Sequence, residues 1–233
     1  MPASVSAATA RPSSSGRVTS TRATRSASWT TPAALAASSR ALRGYDDALA
    51  DKALKLAGES RVVALKTTFL LGGNPDPGTW DEETTALADE CFDACEKHDL
   101  IFHFHTSPGG NSDITNFMPL VEKYGKRCKI YLVHFGGGVS GHIKLVPKFL
   151  QWVKDGYKVY TDTSWAIGFG ARWLLTEIEK QGVGGDRVFF GSDEPWSDFD
   201  SEYWKLNGIR GISQELKDRV FWRNYEEAFG TDA

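Results

Sequence analysis

The stretch LIFHFHTSPGG (residues 100–110) alternates apolar side chains with His103 and His105, then breaks into a Thr-Ser-Pro-Gly-Gly turn. Side chains two apart on a strand share a face, so both imidazoles lie on one side, with His105 at the strand's end. The layout recurs on either side of it. CKIYLVHF (128–135) is an apolar run that reaches His134 and continues into GGGVSG. YKVYTDTSW (157–165) and RVFFGSDEPW (187–196) are apolar runs closed by polar loops, and RVVALKTTF (61–69) is an earlier β-branched run. These five segments read as strands.

Helical patterns fill the gaps between them. Thr79 and Glu82 form a capping box that opens a helix to about His98, with Leu87, Cys91, Ala94 and Cys95 along one face. A second helix runs through FMPLVEKYG, where Gly125 is a natural stop. In HIKLVPKFLQWVKDG, residues Ile143, Val146, Phe149, Leu150 and Val153 fall at helical spacing. ARWLLTEIEKQG (171–182) and SQELKDRVFWRNYEEAFG (213–230) complete the set. Strand and helix alternating at about 25–35 residues per unit is the mark of an α/β protein with a parallel sheet. Ligand sites in such sheets lie beyond the carboxyl ends of the strands, where the polar and glycine-rich segments fall here.

The chain has 233 residues, 41% of them hydrophobic, with a net charge of −3, which gives no electrostatic reason to expect nucleic acid or an anionic membrane as partner. No apolar run approaches the roughly 20 residues that span a bilayer. Three cysteines, Cys91, Cys95 and Cys128, are odd in number and suit a reduced, cytoplasmic compartment better than a disulfide scaffold. Residues 1–40 are rich in Ser, Ala, Thr and Arg and contain no Asp or Glu. So few large apolar side chains do not offset the entropy of ordering, and the segment is expected to be a disordered tail ahead of one domain over 41–233. The same composition also describes an organelle transit peptide.

Three strand ends in this pattern carry similar chemistry: His105 in FHTSPGG, His134 in LVHFGGG and Asp193 in FGSDEPW. Imidazole nitrogens and carboxylates are ligands of Zn²⁺ and related cations, and an Asp beside a metal-bound water also accepts its proton. A lone strand-end histidine is more often a hydrogen-bonded structural residue. Equivalent positions in successive units are harder to assign to packing.

HTSPGG, VHFGGG, DTSW, GSDEPW and the closing WRNYEEAFG together resemble the C-terminal half of the amidohydrolase-related family, over roughly residues 61–230. These are metal-dependent barrel hydrolases that include aminocarboxymuconate-semialdehyde decarboxylase-like and resorcylate decarboxylase-like enzymes. The resemblance implies part of a (β/α)₈ barrel, about strands four to eight, around one divalent metal, usually zinc. It implies His105 as a metal ligand at the end of the fifth barrel strand, His134 as the group that polarises substrate or handles protons, and Asp193 as both metal ligand and proton acceptor. The implied reaction is hydrolysis of a small carboxylated, lactone or amide substrate, with decarboxylation as the alternative within the family.

The family also uses an HxH pair on the first barrel strand. His103 and His105 do not fill that role, because the sequence beyond Thr106 is long enough for only about four barrel units. His103 is expected deeper, in barrel packing. His98 is the first histidine of the sequence, so the first-strand pair is not in it. A catalytically silent homologue is therefore a second reading. A partial barrel also leaves strand edges open, which pairing with another copy of the chain would cover.

Gly136, Gly138 and Gly141 satisfy G-x-G-x-x-G between a strand and a helix, with Asp162 about 20 residues on, as in an NAD-binding oxidoreductase. That reading leaves His105 and Asp193 without a role. Trp165, Arg172 and Trp196 flank the strand ends as candidates to shape a substrate pocket, Arg172 by meeting a carboxylate. Lys66, in ALKTTF, stands where some metallohydrolases place a carboxylated lysine but reads as structural. Cys91 and Cys95 read as core, and His142, opening a helix, as surface.

Overall fold

A computed structural model describes the backbone of residues 6–9, 62–67, 69, 73–166 and 168–229. Among these residues the strands form one sheet in sequence order: β1 (Ser6–Thr9), β2 (Val62–Thr67), β3 (Ile101–His105), β4 (Lys129–Val133), β5 (Val159–Asp162) and β6 (Val188–Phe189). Strands β2 to β6 are mutually parallel, and β1 pairs antiparallel with β2. The five expected strands are thus all present. The short β1 comes from the segment read as a disordered tail and covers an edge of β2; the rest of residues 1–40 lies outside the described residues.

The helices are α1 (Glu82–Lys97), α2 (Ile114–Tyr124), α3 (Val139–Lys154), α4 (Gly168–Gln181), α5 (Phe199–Asn207), α6 (Gln214–Asp218) and α7 (Asn224–Phe229), the last two joined by a π-helical turn, Arg219–Arg223. Helix α1 is capped by Asp81, whose Oδ1 accepts from the Thr84 amide at 2.8 Å. The expected cap, Thr79, instead ends a short 3₁₀ turn and donates its hydroxyl to the Asp76 carbonyl. Asp81 lies nearer the first helical residue and accepts as an anion at the positive end of the helix. Gly125 ends α2 as expected, its amide bonding the Val121 carbonyl at 2.7 Å.

Alternation along the strands sorts the side chains into two buried faces. Leu65, Phe102, Phe104, Ile130, Leu132 and Val188 face the helices and join the main core. There Phe92 of α1 stacks on Tyr124 of α2 at 3.8 Å and packs on Phe102 at 5.1 Å. Cys91, Cys95 and Cys128 are buried thiols of this core. The other face carries Ala64, Ile101, Tyr160 and Phe189, clustered with Phe229 of α7. Burying each large side chain is worth roughly 1.5–3 kcal/mol, so the closing helix is held to the sheet's inner face by Phe229 and its neighbours.

Helix α3 turns its apolar stripe slightly from the expected one: Leu145, Val146, Phe149, Leu150 and Trp152 are buried, while Ile143 is 55% exposed. Helix α5, unexpected from hydrophobic periodicity, is set by Asp198, which accepts from the Ser201 amide at 2.9 Å. Among the described residues no helix is long and apolar enough to cross a membrane.

Candidate active site

The parallel strands deliver their polar ends to one place. His105 is the last residue of β3, His134 comes directly after β4, and Asp193 lies in the loop after β6. The rings of His105 and His134 meet nearly perpendicular, centroids 4.7 Å apart. His134 Nε2 lies 3.9 Å from Asp193 Oδ2. Three side chains drawn from across 89 residues of sequence, 105 to 193, therefore converge.

The backbone is strained where they do so. His134, Phe135, Trp165 and Asp193 have φ between 50° and 68°, a region unfavourable for residues with a Cβ. Such strain persists only where the surroundings over-determine it and clusters at functional sites. At His134 the left-handed turn goes with an amide aimed at the Asp162 carboxylate, 3.3 Å from each oxygen. Asp162 Oδ1 also accepts from the Ser164 amide at 2.8 Å and from the Ser164 hydroxyl, and Ser164 Oγ lies 2.8 Å from His134 Nδ1. Asp162 and Ser164 thus contact His134, a pairing that periodicity does not show, although both belong to the DTSW segment at the end of β5.

Electrostatics keep both imidazoles neutral at pH 7. Burial, with smaller effects from His134 and the Lys66 cation, pushes His105 down to about 4. Burial also lowers His134, although the Asp162 and Asp193 carboxylates oppose it. Neutral imidazoles beside a carboxylate are ready to accept a proton or ligate a cation.

His103 does something different. Its ring packs edge-on against Tyr131 at 4.2 Å and lies 6.4 Å from Phe229, in the inner packing as expected. Burial, helped by Lys66, pushes it down to about 3. The unfolded chain binds a proton there below about 6.5 whereas the native chain does so only near 3, so the unfolded state holds more protons between these values. The stabilisation is whole above about 6.5 and is lost as pH falls to about 3. Denaturant melts over that range should show stability rising with pH, with a visibly shallower slope in His103→Phe. Equal slopes would contradict this assignment.

The glycine turn after β4 packs against its own chain. A Cβ on Gly137 would fall 2.3 Å from the Ser107 Cα, and one on Gly141 would fall 1.7 Å from the Gly136 carbonyl oxygen. Gly138, the N-cap of α3, faces the Pro108 ring at 3.0 Å. Protein backbone thus occupies the close approach that a pyrophosphate would need, and Asp162 is turned to His134 and Ser164. The dinucleotide reading of Gly136, Gly138, Gly141 and Asp162 is corrected accordingly.

An amidohydrolase family model matches residues 11–231. The chain belongs to the amidohydrolase family. Among curated proteins none matches the sequence. Among solved structures the chain is similar to 2,6-dihydroxybenzoate decarboxylase from Rhizobium, with 15% identity, a TM-score of 0.56, and coverage of 80% of this chain and 68% of that one. It is similar to 5-carboxyvanillate decarboxylase from Sphingomonas paucimobilis, with 17% identity, a TM-score of 0.55, and coverage of 77% and 62%. A manganese-bound 5-carboxyvanillate decarboxylase variant from Novosphingobium aromaticivorans matches with 15% identity, a TM-score of 0.50, and coverage of 78% and 61%. The five parallel strands, β2 to β6, are the corresponding part of a (β/α)₈ barrel, and the matched region spans just over three fifths of the Sphingomonas chain.

Within this partial amidohydrolase barrel, His105 and Asp193 fit a divalent cation by donor chemistry: one neutral imidazole and one carboxylate. Among the described residues no group of three or more His, Cys, Asp or Glu is arranged to hold one. The donors therefore amount to part of a site, short of the three protein ligands of an open catalytic centre.

Of the candidate substrate residues, Trp165 is half-exposed with its ring 6.3 Å from His134. Trp196 is 80% exposed, and its amide bonds the Asp193 carbonyl at 2.8 Å. Arg172 is exposed on α4, and no described contact joins it to the three converging residues. Lys66 lies on the inner face, in register with His103. His142 is fully buried rather than on the surface: Nδ1 lies 2.7 Å from the Phe135 carbonyl, and the ring fills space that a Cβ on Gly170 would invade at 2.4 Å. It buttresses the strained turn from behind.

Proposed function

We propose that this amidohydrolase acts as a decarboxylase on an aromatic carboxylic acid, with His105 and Asp193 as cation ligands, and His134 with Asp193 as the proton-handling pair. The observation that carries the reading is the His134–Asp193 pair, 3.9 Å apart, beside the half-exposed Trp165 ring. Two structural neighbours that cover 80% and 77% of this chain are decarboxylases, of 2,6-dihydroxybenzoate and 5-carboxyvanillate, which favours this reaction over hydrolysis.

A bound divalent cation would supply positive charge to hold and orient the substrate's oxygens. Trp165 offers a flat face against which an aromatic ring stacks. As the bond from ring carbon to carboxyl carbon breaks, its electron pair stays on the ring carbon and CO₂ departs. That carbon then needs one proton. His134 Nε2 and the Asp193 carboxylate, both acceptors, first take up one proton from water between them, then give it to that carbon and return to their starting state. Burial lowers the affinity of His134 for the proton while Asp193 opposes this, a balance suited to giving it up again.

The test supplies the full chain with Mn²⁺ and either 2,6-dihydroxybenzoate or 5-carboxyvanillate and monitors CO₂ release. Metal-stimulated release supports the reading. Cleavage confined to amide or lactone substrates would replace it with hydrolysis, and turnover of none of them would favour the silent homologue.

A further inference from the structure

We infer that Ser164 is a positioning residue that, with Asp162 behind it, holds neutral His134 as the Nδ1–H tautomer and leaves Nε2 as a bare acceptor facing Asp193. The inference deepens the reading of His134 as a proton-handling group and rests on it for its functional meaning. The tautomer itself is fixed by a count of donors and acceptors.

A serine hydroxyl has one proton to give and two lone pairs. Ser164 Oγ touches two partners, His134 Nδ1 at 2.8 Å and Asp162 Oδ1. Asp162 is ringed by donors: the amide of Ser164 at 2.8 Å and the amide of His134 at 3.3 Å from both oxygens. A carboxylate in that setting only accepts, so the hydroxyl proton lies toward Asp162. Ser164 Oγ then has only a lone pair to offer His134. The hydrogen on the neutral ring must sit on Nδ1.

The other nitrogen is consequently bare. Nε2 and Asp193 Oδ2 are two acceptors facing one another at 3.9 Å, beyond direct hydrogen bonding, and both serve whatever proton or cation comes between them. In the opposite tautomer, Nε2 would donate toward Asp193 and could take neither. The same dependence of an imidazole's tautomer on its orienting partner is known from the Ser-His-Asp triad. His134 also owes its place to Asp162, because that carboxylate holds its amide in the left-handed turn.

The test is nitrogen NMR on the full chain, labelled at histidine and without added metal, at about pH 8 where the imidazoles are neutral. His134 is assigned by the signals lost in His134→Gln. Long-range proton–nitrogen correlations should give a protonated Nδ1 and an unprotonated Nε2. The reverse pattern in the unaltered chain would overturn the inference without any variant. Ser164→Ala should lose the Nδ1–H preference and Ser164→Thr should keep it. Asp162→Asn should keep it, because the Ser164 amide holds the Asn carbonyl oxygen in the place of Oδ1, where it still accepts the Ser164 hydroxyl proton. An unchanged tautomer in folded Ser164→Ala would also overturn it. The tautomer is read without turnover, so failure of the decarboxylase reading leaves this result intact, and the converse holds.

Discussion

Asp193→Asn should lower kcat for any turnover by about 10²–10⁴-fold, the range associated with losing one acid–base group. Its melting temperature should stay close to that of the unaltered chain. The substitution separates chemistry from folding unusually well. Asp193 sits at φ 55°, a conformation that Asn adopts nearly as readily as Asp. Its main-chain carbonyl continues to accept from the amides of Trp196 at 2.8 Å and Ser197 at 3.2 Å, so the loop is retained. The losses are the charge 3.9 Å from His134 Nε2 and the capacity to hold a proton there. The check is a pair of measurements on the same preparation, steady-state rate and thermal melt. A rate within about threefold of the unaltered chain would remove Asp193 from the proton-handling pair.

Gly141→Ala should instead destabilise the fold by about 3 kcal/mol or more, the size reached when backbone must move to admit a side chain. For a chain of this length that corresponds to a drop in melting temperature of roughly 6–12 °C. The added methyl would meet the Gly136 carbonyl oxygen at 1.7 Å, which no rotamer relieves because the backbone fixes the position of a Cβ and the oxygen is itself main chain. The displaced turn is the one that presents His134 to Asp193, so activity should fall with stability. Gly182→Ala is the control. Gly182 has φ +65° but nothing within 4 Å of a built Cβ, so it bears only the left-handed penalty of about 1 kcal/mol. Equal effects for the two substitutions would show that the crowding at Gly141 is relieved elsewhere.

The strands were legible because each is a short apolar run stopped by glycine or a polar cluster, and a buried parallel sheet leaves that trace. His105, His134 and Asp193 were legible by position: metal-ligating side chains at one place in several strand–helix units. Their actual approach was not, since it depends on register and on left-handed turns at residues 134, 135 and 193 that no local propensity favours. Asp162 is an instructive case. In the sequence it stood out as a ribose partner for a glycine-rich loop, and the fold turns it onto the amide of His134 instead. Sequence distance could not distinguish the two, because both roles put an acidic residue at the end of the next strand. His142 was misjudged for a related reason. A polar residue in a first helical turn usually faces water, but the glycine turn folds back so that the Phe135 carbonyl meets its ring, and Gly170 makes room for it. Helix α5 escaped notice because its apolar residues are mainly aromatic, Phe199, Tyr203 and Trp204, two of them exposed, and so give little periodic signal.

Whether His105 and Asp193 serve as donors to one cation at the strand ends is decided by metal content. The full chain would be incubated with Mn²⁺ or Zn²⁺, desalted and analysed by element, beside His105→Ala prepared in the same way. With two donors in place the unaltered chain is expected to retain a fraction of an equivalent of metal, and the variant almost none. Absence of metal from the unaltered chain, or equal metal in both, would contradict the shared site.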